Sequence, residues 1–456
     1  MKNNGSILVS LLWIVSILSL IVVGVLHSAN LDLRVVKNYG DSTQAHYIAL
    51  AGIEKAKALL YQSAVDGRKN GINFSDRLFD APQEFRDIEF ARGRFRVCHG
   101  GERGNETDIK YGVLDEERFL NFNTADQQQM IKLEGMTEQL AAAISDYRDG
   151  DQQVSPGGAE LAEYEAMQPP YIPHDAPFRT LRELLSVRDM PPNLFLGEDA
   201  NANGWLDPEE NDGRLFSPQD NQNGVLDKGW MGLSTVWSAA RNVNAYGKAR
   251  VNIKEASQGD LAEVDGITED LAKSIVEYRD SQELNSLGDL LKVKAIKKDS
   301  KSSSRSSNRG SRSSSSGGSS KGTPTGSNLI NRELFKQISD SLTVSEDVRI
   351  PGAVNVNTAP AQVLASLPGM DDEKAAVIVA HRSSIGFFQS IADLLDVEGI
   401  SEEDFKQLVD RVTTRSDTFR IFCEGKVTSS GARRRMEVVV RISPGYVDTL
   451  AYREDL

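Results

Sequence analysis

The feature that most restricts this chain is a motif written three times at fixed spacing. Asn121-Phe122-Asn123-Thr124-Ala125, Asn252-Ile253-Lys254-Glu255-Ala256 and Asn355-Val356-Asn357-Thr358-Ala359 each precede a glycine, at Gly135, Gly266 and Gly369, by 14 residues counted from the first asparagine. A further 13 residues reach Arg148, Arg279 and Arg382, and each unit ends in a paired leucine, Leu184-Leu185, Leu290-Leu291 or Leu394-Leu395. Coincident spacings of this kind mark a repeated supersecondary unit. Each glycine permits the positive φ of a sharp turn, and Thr137, Thr268 or Asp371 just beyond it can cap the helix that follows. The pattern predicts three helix-hairpin-helix units of the SAM-like kind.

Hairpins that hold DNA use their exposed amides as a phosphate cradle, which needs neutral or positive surroundings. Here Glu138, Glu269, Asp270, Asp371 and Asp372 follow the turns, in a chain with formal net charge -14. These carboxylates occupy the helix N-termini and repel phosphate, so the units read as packing modules and nucleic acid is not an expected partner.

Ile7 to Leu26 is an uncharged run. At about 1.5 Å per residue it spans a hydrocarbon core of roughly 30 Å, so it reads as a transmembrane helix. Leu31, Val35, Val36, Tyr47, Ile48, Leu50, Ile53, Ala56 and Leu60 continue it as an amphipathic helix. Alternation then predicts strands around Ile88 and Phe90, Phe95 and Val97, Thr418 to Val427, and Arg435 to Ile442, the last two joined by a turn at Thr428 to Ala432. The fold class is α+β: a long N-terminal helix packed on an antiparallel sheet, with a large helical domain inserted between its strands. The expected segments are 6–70 for the helix, 71–120 for the first strands, and 121–296 for an inserted domain with two hairpin units. A disordered serine-rich linker at 297–327, a third unit at 328–412, closing strands at 413–446 and a tail at 447–456 follow.

Asp199 to Glu210 fits the calcium-loop pattern D-x-[DN]-x-[DN]-G-x₅-E in full. Oxygens of Asp199, Asn201, Asn203 and Asp207, the Trp205 carbonyl and a bidentate Glu210 would surround a structural Ca2+, with Gly204 at the bend. A second loop carries Asn221, Asn223, Val225 and Asp227, but Trp230 stands where the closing glutamate is expected, so another carboxylate must complete it. Pro191-Pro192 removes the helix that would enter a true EF-hand. Two cysteines, Cys98 and Cys423, allow one bridge and no framework. The histidines, among them His27, His99, His174 and His381, are isolated, and no nucleophile-base pair is evident, so no enzyme is expected.

Met1-Lys2-Asn3-Asn4-Gly5-Ser6 before the apolar run resembles a type IV prepilin leader. Asp146-Tyr147-Arg148-Asp149-Gly150-Asp151, Gly158-Ala159-Glu160, Tyr164, Pro169-Pro170-Tyr171, Ala176-Pro177-Phe178 and Leu181 to Leu184 resemble the hallmark segment of the general secretion pathway protein K family. Asn355 to Ala359, Thr413 to Ser416 and Phe419-Arg420-Ile421 resemble its closing region. The resemblance implies cleavage by prepilin peptidase between Gly5 and Ser6. It makes Ser10 the fifth mature residue, where most pilins carry a glutamate that neutralises a neighbour's terminal amine. It further implies a single-pass subunit of the bacterial inner membrane, with its bulk in the periplasm. I-type and J-type minor pseudopilins, the pseudopilus shaft and the inner-membrane assembly platform would be its partners. The rival reading is a membrane-anchored hairpin receptor for DNA of the competence type. A calcium-dependent adhesin is a third, without a nameable adhesive motif.

Overall fold

The computed structural model describes residues 4–100, 109–202, 204, 206–213, 220–294 and 328–454. The serine-rich tract expected at 297–327 therefore lies outside the described residues, as do Asn203 and Trp205.

Helix α1 runs from Asn4 to Asn70 without a break. Its first half, including Leu11, Leu18, Leu26 and Val35, is exposed, and among the described residues it is the one helix long and apolar enough to cross a membrane. Its second half buries Ala45, Ile48, Ala49, Ile53, Ala56 and Leu60, a stripe at helical spacing. That stripe meets a sheet formed by β1 (Ile88–Phe90), β2 (Gly93–Val97), β3 (Leu114–Asp115), β4 (Thr418–Val427), β5 (Arg433–Ser443) and β6 (Tyr446–Glu454). The order is β1-β2-β4-β5-β6, all antiparallel, with β3 also pairing β4 through Phe419↔Asp115.

Contact between helix and sheet is close enough to exclude side chains. A Cβ on Gly425 would stand 2.3 Å from the Ala45 carbonyl oxygen and 2.5 Å from the Ala49 nitrogen, so β4 can lie against the α1 backbone only as glycine. The expected tail at 447–456 is instead an edge strand over most of its length, because β6 pairs with β5 along Ser443↔Tyr446 to Met436↔Glu454. Cys98 and Cys423 are buried free thiols.

Residues 116–417, inserted between β3 and β4, contain the three repeats. Each opens on a two-residue strand that pairs in parallel with another at its end: Leu120–Asn121 with Ser234–Thr235, Val251–Asn252 with Leu342–Thr343, and Val354–Asn355 with Val412–Thr413. Within each, a short helix, the hairpin glycine, a longer helix and a 3-10 turn follow in order. The longer helices are Glu138–Arg148, Glu269–Ser281 and Asp372–Ser384. As the capping argument requires, Thr137, Thr268 and Asp371 accept from Leu140, Leu271 and Lys374 N–H, and the three glycines have φ of 77°, 95° and 74°.

The boundary at 328 needs correction. Helix Arg332–Ser339 and strand Leu342–Thr343 complete the second unit, not the third, because Leu342 and Thr343 are the partners of Val251 and Asn252. The serine-rich tract is thus inserted within a unit, and its two ends meet at a Lys294↔Asn328 bridge.

Candidate functional site

The repeat residues close each unit on itself. Arg148 donates to the Phe122 carbonyl and, at 2.6 Å, to that of Ala125. Arg279 reaches Ile253 and Ala256 at 3.1 and 2.9 Å, and Arg382 reaches Val356 at 2.8 Å. In the first and third units the second asparagine of the motif also clamps a phenylalanine backbone. Asn123 donates to the Phe178 carbonyl at 2.9 Å and accepts its N–H at 2.8 Å, and Asn357 does the same to Phe388 at the same two distances. The second unit has Lys254 at this position.

Each hairpin glycine is backed by a later helix of its own unit, while the outer side of the turn is open: Gly135 is exposed, and Gly266 and Gly369 are half-buried. A Cβ on Gly135, Gly266 or Gly369 would meet Leu194, Gln337 or Gln407 within 3.2 Å, and these side chains belong to a later helix of the same unit. Lys132 of the first unit donates to the Ala365, Leu367 and Met370 carbonyls around the third hairpin, at 2.8 to 3.0 Å. A lysine that could have faced phosphate is spent on packing.

An acidic belt ties this domain to the sheet. Asp115 accepts from Asn355 at 3.1 Å and from Thr358 at 2.5 Å, Glu116 from Arg420 at 2.5 Å and from Thr235, and Glu117 from the Thr418 N–H at 3.1 Å. Burial, then the charges of Asp115 and Asp417, push the Glu117 carboxyl well above its ordinary range, and burial raises Asp115 too.

The first loop does follow a helix, Pro192–Leu196: Pro191 and Pro192, at its cap and first position, begin it and do not remove it, though it is only five residues long. Asp199 is 3 % exposed, and its Oδ2 accepts the Gly204 N–H at 2.8 Å, with Gly204 at φ 75°. Asn201 donates its side-chain amide to Asp207 Oδ2 at 2.9 Å, so two expected ligand residues meet, with the amide nitrogen of Asn201 toward the carboxylate. Glu210 is 4 % exposed; its Oε2 accepts the Asp207 N–H at 3.1 Å, while Oε1 is buried with no hydrogen-bond partner. Burial first, then Asp199 and Asp207, hold its carboxyl up at about 7. An orphaned buried oxygen beside two further carboxylates fits a hard cation. The sheet reaches this loop through Arg453 of β6, which donates to the Ala202 carbonyl at 2.6 Å. Sequence periodicity gave no sign of that contact.

In the second loop Asn221 and Asn223 use their side-chain oxygens in local turns, accepting the N–H of Asn223 and Val225, and Asp227 accepts that of Gly229. Trp230 is a core residue, 3 % exposed, donating to the Glu134 carbonyl at 2.8 Å. The carboxylate that faces this loop comes from Glu198. It accepts the Asn221 N–H at 3.2 Å and the Asp227 N–H at 3.1 Å, and Glu198 N–H donates to the Asp227 carbonyl at 2.7 Å. One position before the first loop, Glu198 falls outside any calcium-loop pattern. Gly5 and Ser6 lie in the first turns of α1, and Ser10 is on its exposed apolar half.

Comparison with known proteins agrees with this geometry unit by unit. Residues 247–304 and 352–413 match the helix-hairpin-helix motif family, and residues 122–196 match the family described as type II secretion system (T2SS), protein K. Endonuclease/exonuclease/phosphatase family domain-containing protein 1 of Bos taurus is 30% identical over 171 residues, 37% of this chain and 29% of that protein. ComE operon protein 1 of Bacillus subtilis (strain 168) is 37% identical over 62 residues, 14% of this chain and 30% of that protein. The chain thus spans under a third of the length of the curated relatives it matches. A crystal structure of the GspK-GspI-GspJ complex from enterotoxigenic Escherichia coli aligns over 91% of this chain and 98% of the solved one, at 13% identity and a TM-score of 0.43. Within its first repeat unit, Phe122 to Leu196 thus match the first domain of protein K of the type II secretion system.

Proposed function

We propose that the chain is a non-catalytic minor pseudopilin that starts and caps the tip of a type II secretion pseudopilus. The observation that carries this reading is the protein K match at 122–196 inside a domain hung from a sheet that packs on a membrane-length helix. Prepilin peptidase would cut between Gly5 and Ser6, and α1 would then hold the subunit in the inner membrane with the remaining domains in the periplasm. A tip subunit needs contacts on one side only. Ser10 offers no carboxylate to a terminal amine above it, and the bulk of the inserted domain would obstruct a further subunit there. I-type and J-type minor pseudopilins are its proposed partners. Co-expression of tagged full-length chain with both should yield one complex that survives gel filtration in detergent; recovery of the chain alone would sink the reading.

Calcium has a structural place in it. When bound, the ion would neutralise the Asp199, Asp207 and Glu210 carboxylates and fix the first loop. The second loop would take an ion only with Glu198 as its carboxylate.

A second reading is favoured by the two hairpin matches and the likeness to ComE operon protein 1: a tethered DNA receptor. A mobility shift at low salt that vanishes steeply with added salt would support it. The carboxylates that follow each hairpin weigh on the side of packing.

A further inference from the structure

The segment Asp146 to Glu160 builds a second acidic group, separate from both loops. Oxygens of Asp146, Asp149 and Glu160 lie within 4.8 Å of one another. Asp146 ends the hairpin helix at 0 % exposure, Glu160 precedes the helix Leu161–Glu165 at 2 %, and Asp149 is exposed, which leaves one side open to solvent.

Buried carboxylates ordinarily have partners. These lack them. Both Glu160 side-chain oxygens and Oδ1 of Asp146 are buried without a hydrogen bond, and only Oδ2 of Asp146 is satisfied, by the Ser155 N–H at 3.0 Å. The neighbouring cations are engaged elsewhere: Arg148 holds the carbonyls of its own turn, and Arg188 donates to the Gly157 carbonyl and pairs with Asp189. The backbone is shaped to bring the acids together. Gly157 has φ 84°, and a Cβ on Gly158 would stand 2.0 Å from Asp146 Oδ2, so only glycine lets the strand of chain before Glu160 come so near.

We infer that Asp146, Asp149 and Glu160 form a divalent-cation site, distinct from the loop at 199–210, that takes calcium or an ion of the same hard, oxygen-seeking class. Three carboxylates and no nitrogen or sulfur donor select such an ion over transition metals. Consistent with that reading, burial and then the charges of Asp146, Asp149, Asp175 and Asp151 hold the Glu160 carboxyl up at about 7, as befits a buried acid surrounded by its own kind. The site would lock the end of the hairpin helix to the start of the next one, in the unit that carries the protein K match.

Equilibrium dialysis of the full-length chain in detergent at pH 7.5, stripped with EGTA and returned to calcium, tests it. Glu160→Gln keeps the side chain's shape and should lose one bound calcium relative to the parent chain, whereas Glu210→Gln should retain that ion. Asp149→Asn, at an exposed position that folding tolerates, should weaken the same site at least tenfold. If Glu160→Gln and Asp149→Asn both bind the parent's number of ions with the parent's affinity, the carboxyls merely share protons and the site does not exist. Should Glu160→Gln fail to fold, Asp149→Asn decides alone.

Discussion

Between the parallel strands that open and close the third repeat unit lie residues 356–411; between those of the first lie residues 122–233. The two units share the arginine that holds the turn, the asparagine clamp and the capped hairpin. They differ between the longer helix and the 3-10 turn, residues 149–180 in the first unit against 385–390 in the third, and in what hangs between that turn and the closing strand. In the third unit that interval holds the helix Glu402–Leu408; in the first it holds both acidic loops. The second unit carries the serine-rich tract in the same interval. The closing strand and the helix that backs the hairpin recur in all three units, so the rest of the interval is free to grow without reshaping the frame.

The largest test of this comparison sets the clamp against its absence. Asn357→Ala removes a buried side chain bonded to both backbone groups of Phe388, and should cost about 2–3 kcal/mol. Lys254→Ala at the matching position should change stability by no more than about 0.5 kcal/mol. Hydrogen exchange of each unit in the full-length chain would read both, and equal losses would break the claim that the second unit is closed differently.

Next in size is the first interval, which should contribute stability only with its ion. At a hundredfold excess of calcium over Kd the gain is about 2.7 kcal/mol. Parent chain should therefore melt higher in calcium than in EGTA, and Glu210→Gln should shrink the difference. An unchanged melting curve on adding calcium would make the interval inert.

A smaller effect concerns how the inserted domain docks. The third unit leans on Asp115, and the neighbouring Glu117 carboxyl holds the Thr418 N–H of β4; both carboxyls are held above their ordinary values in the fold. Such a group binds its proton more tightly folded than unfolded. Its contribution therefore favours the fold at low pH and falls as pH rises past the unfolded value of about 4.3. Glu117→Gln should flatten the decline of melting temperature above that point. An identical pH slope in the variant would remove Glu117 from the account.

Smallest of all should be the removal of residues 295–327 in favour of a short glycine-serine turn. Lys294 and Asn328 already meet, so stability should stay within about 0.5 kcal/mol. A large loss would show that the tract belongs to the frame.

Much of this architecture was legible in the residues because periodicity carried it. The long helix, the strands at 418–427 and 433–443, and the three capped hairpins each leave a local pattern. The closing strands did not, since two residues have no period and their partners lie as far off as Leu120 from Ser234. For the same reason sequence pattern alone puts residues 328–343 in the wrong unit. Strand β6 was hidden by its mixed surface, in which Tyr446 and Tyr452 are exposed at an edge. Glu198 and Arg453 reach the loops from outside any motif, and only the folded chain brings them there.

The pairing of β3 with β4 has a mechanical consequence. Asp115 and Phe419 are hydrogen-bonded neighbours, so the polypeptide leaves the sheet and returns to it at one place. A tug transmitted along α1 into the strands it packs against therefore does not run lengthwise through residues 116–417, which follow the sheet as an attached body, held to it by contacts such as Arg420 with Glu116 and Arg453 with Ala202. The large domain thus rides on the stem without being part of its length.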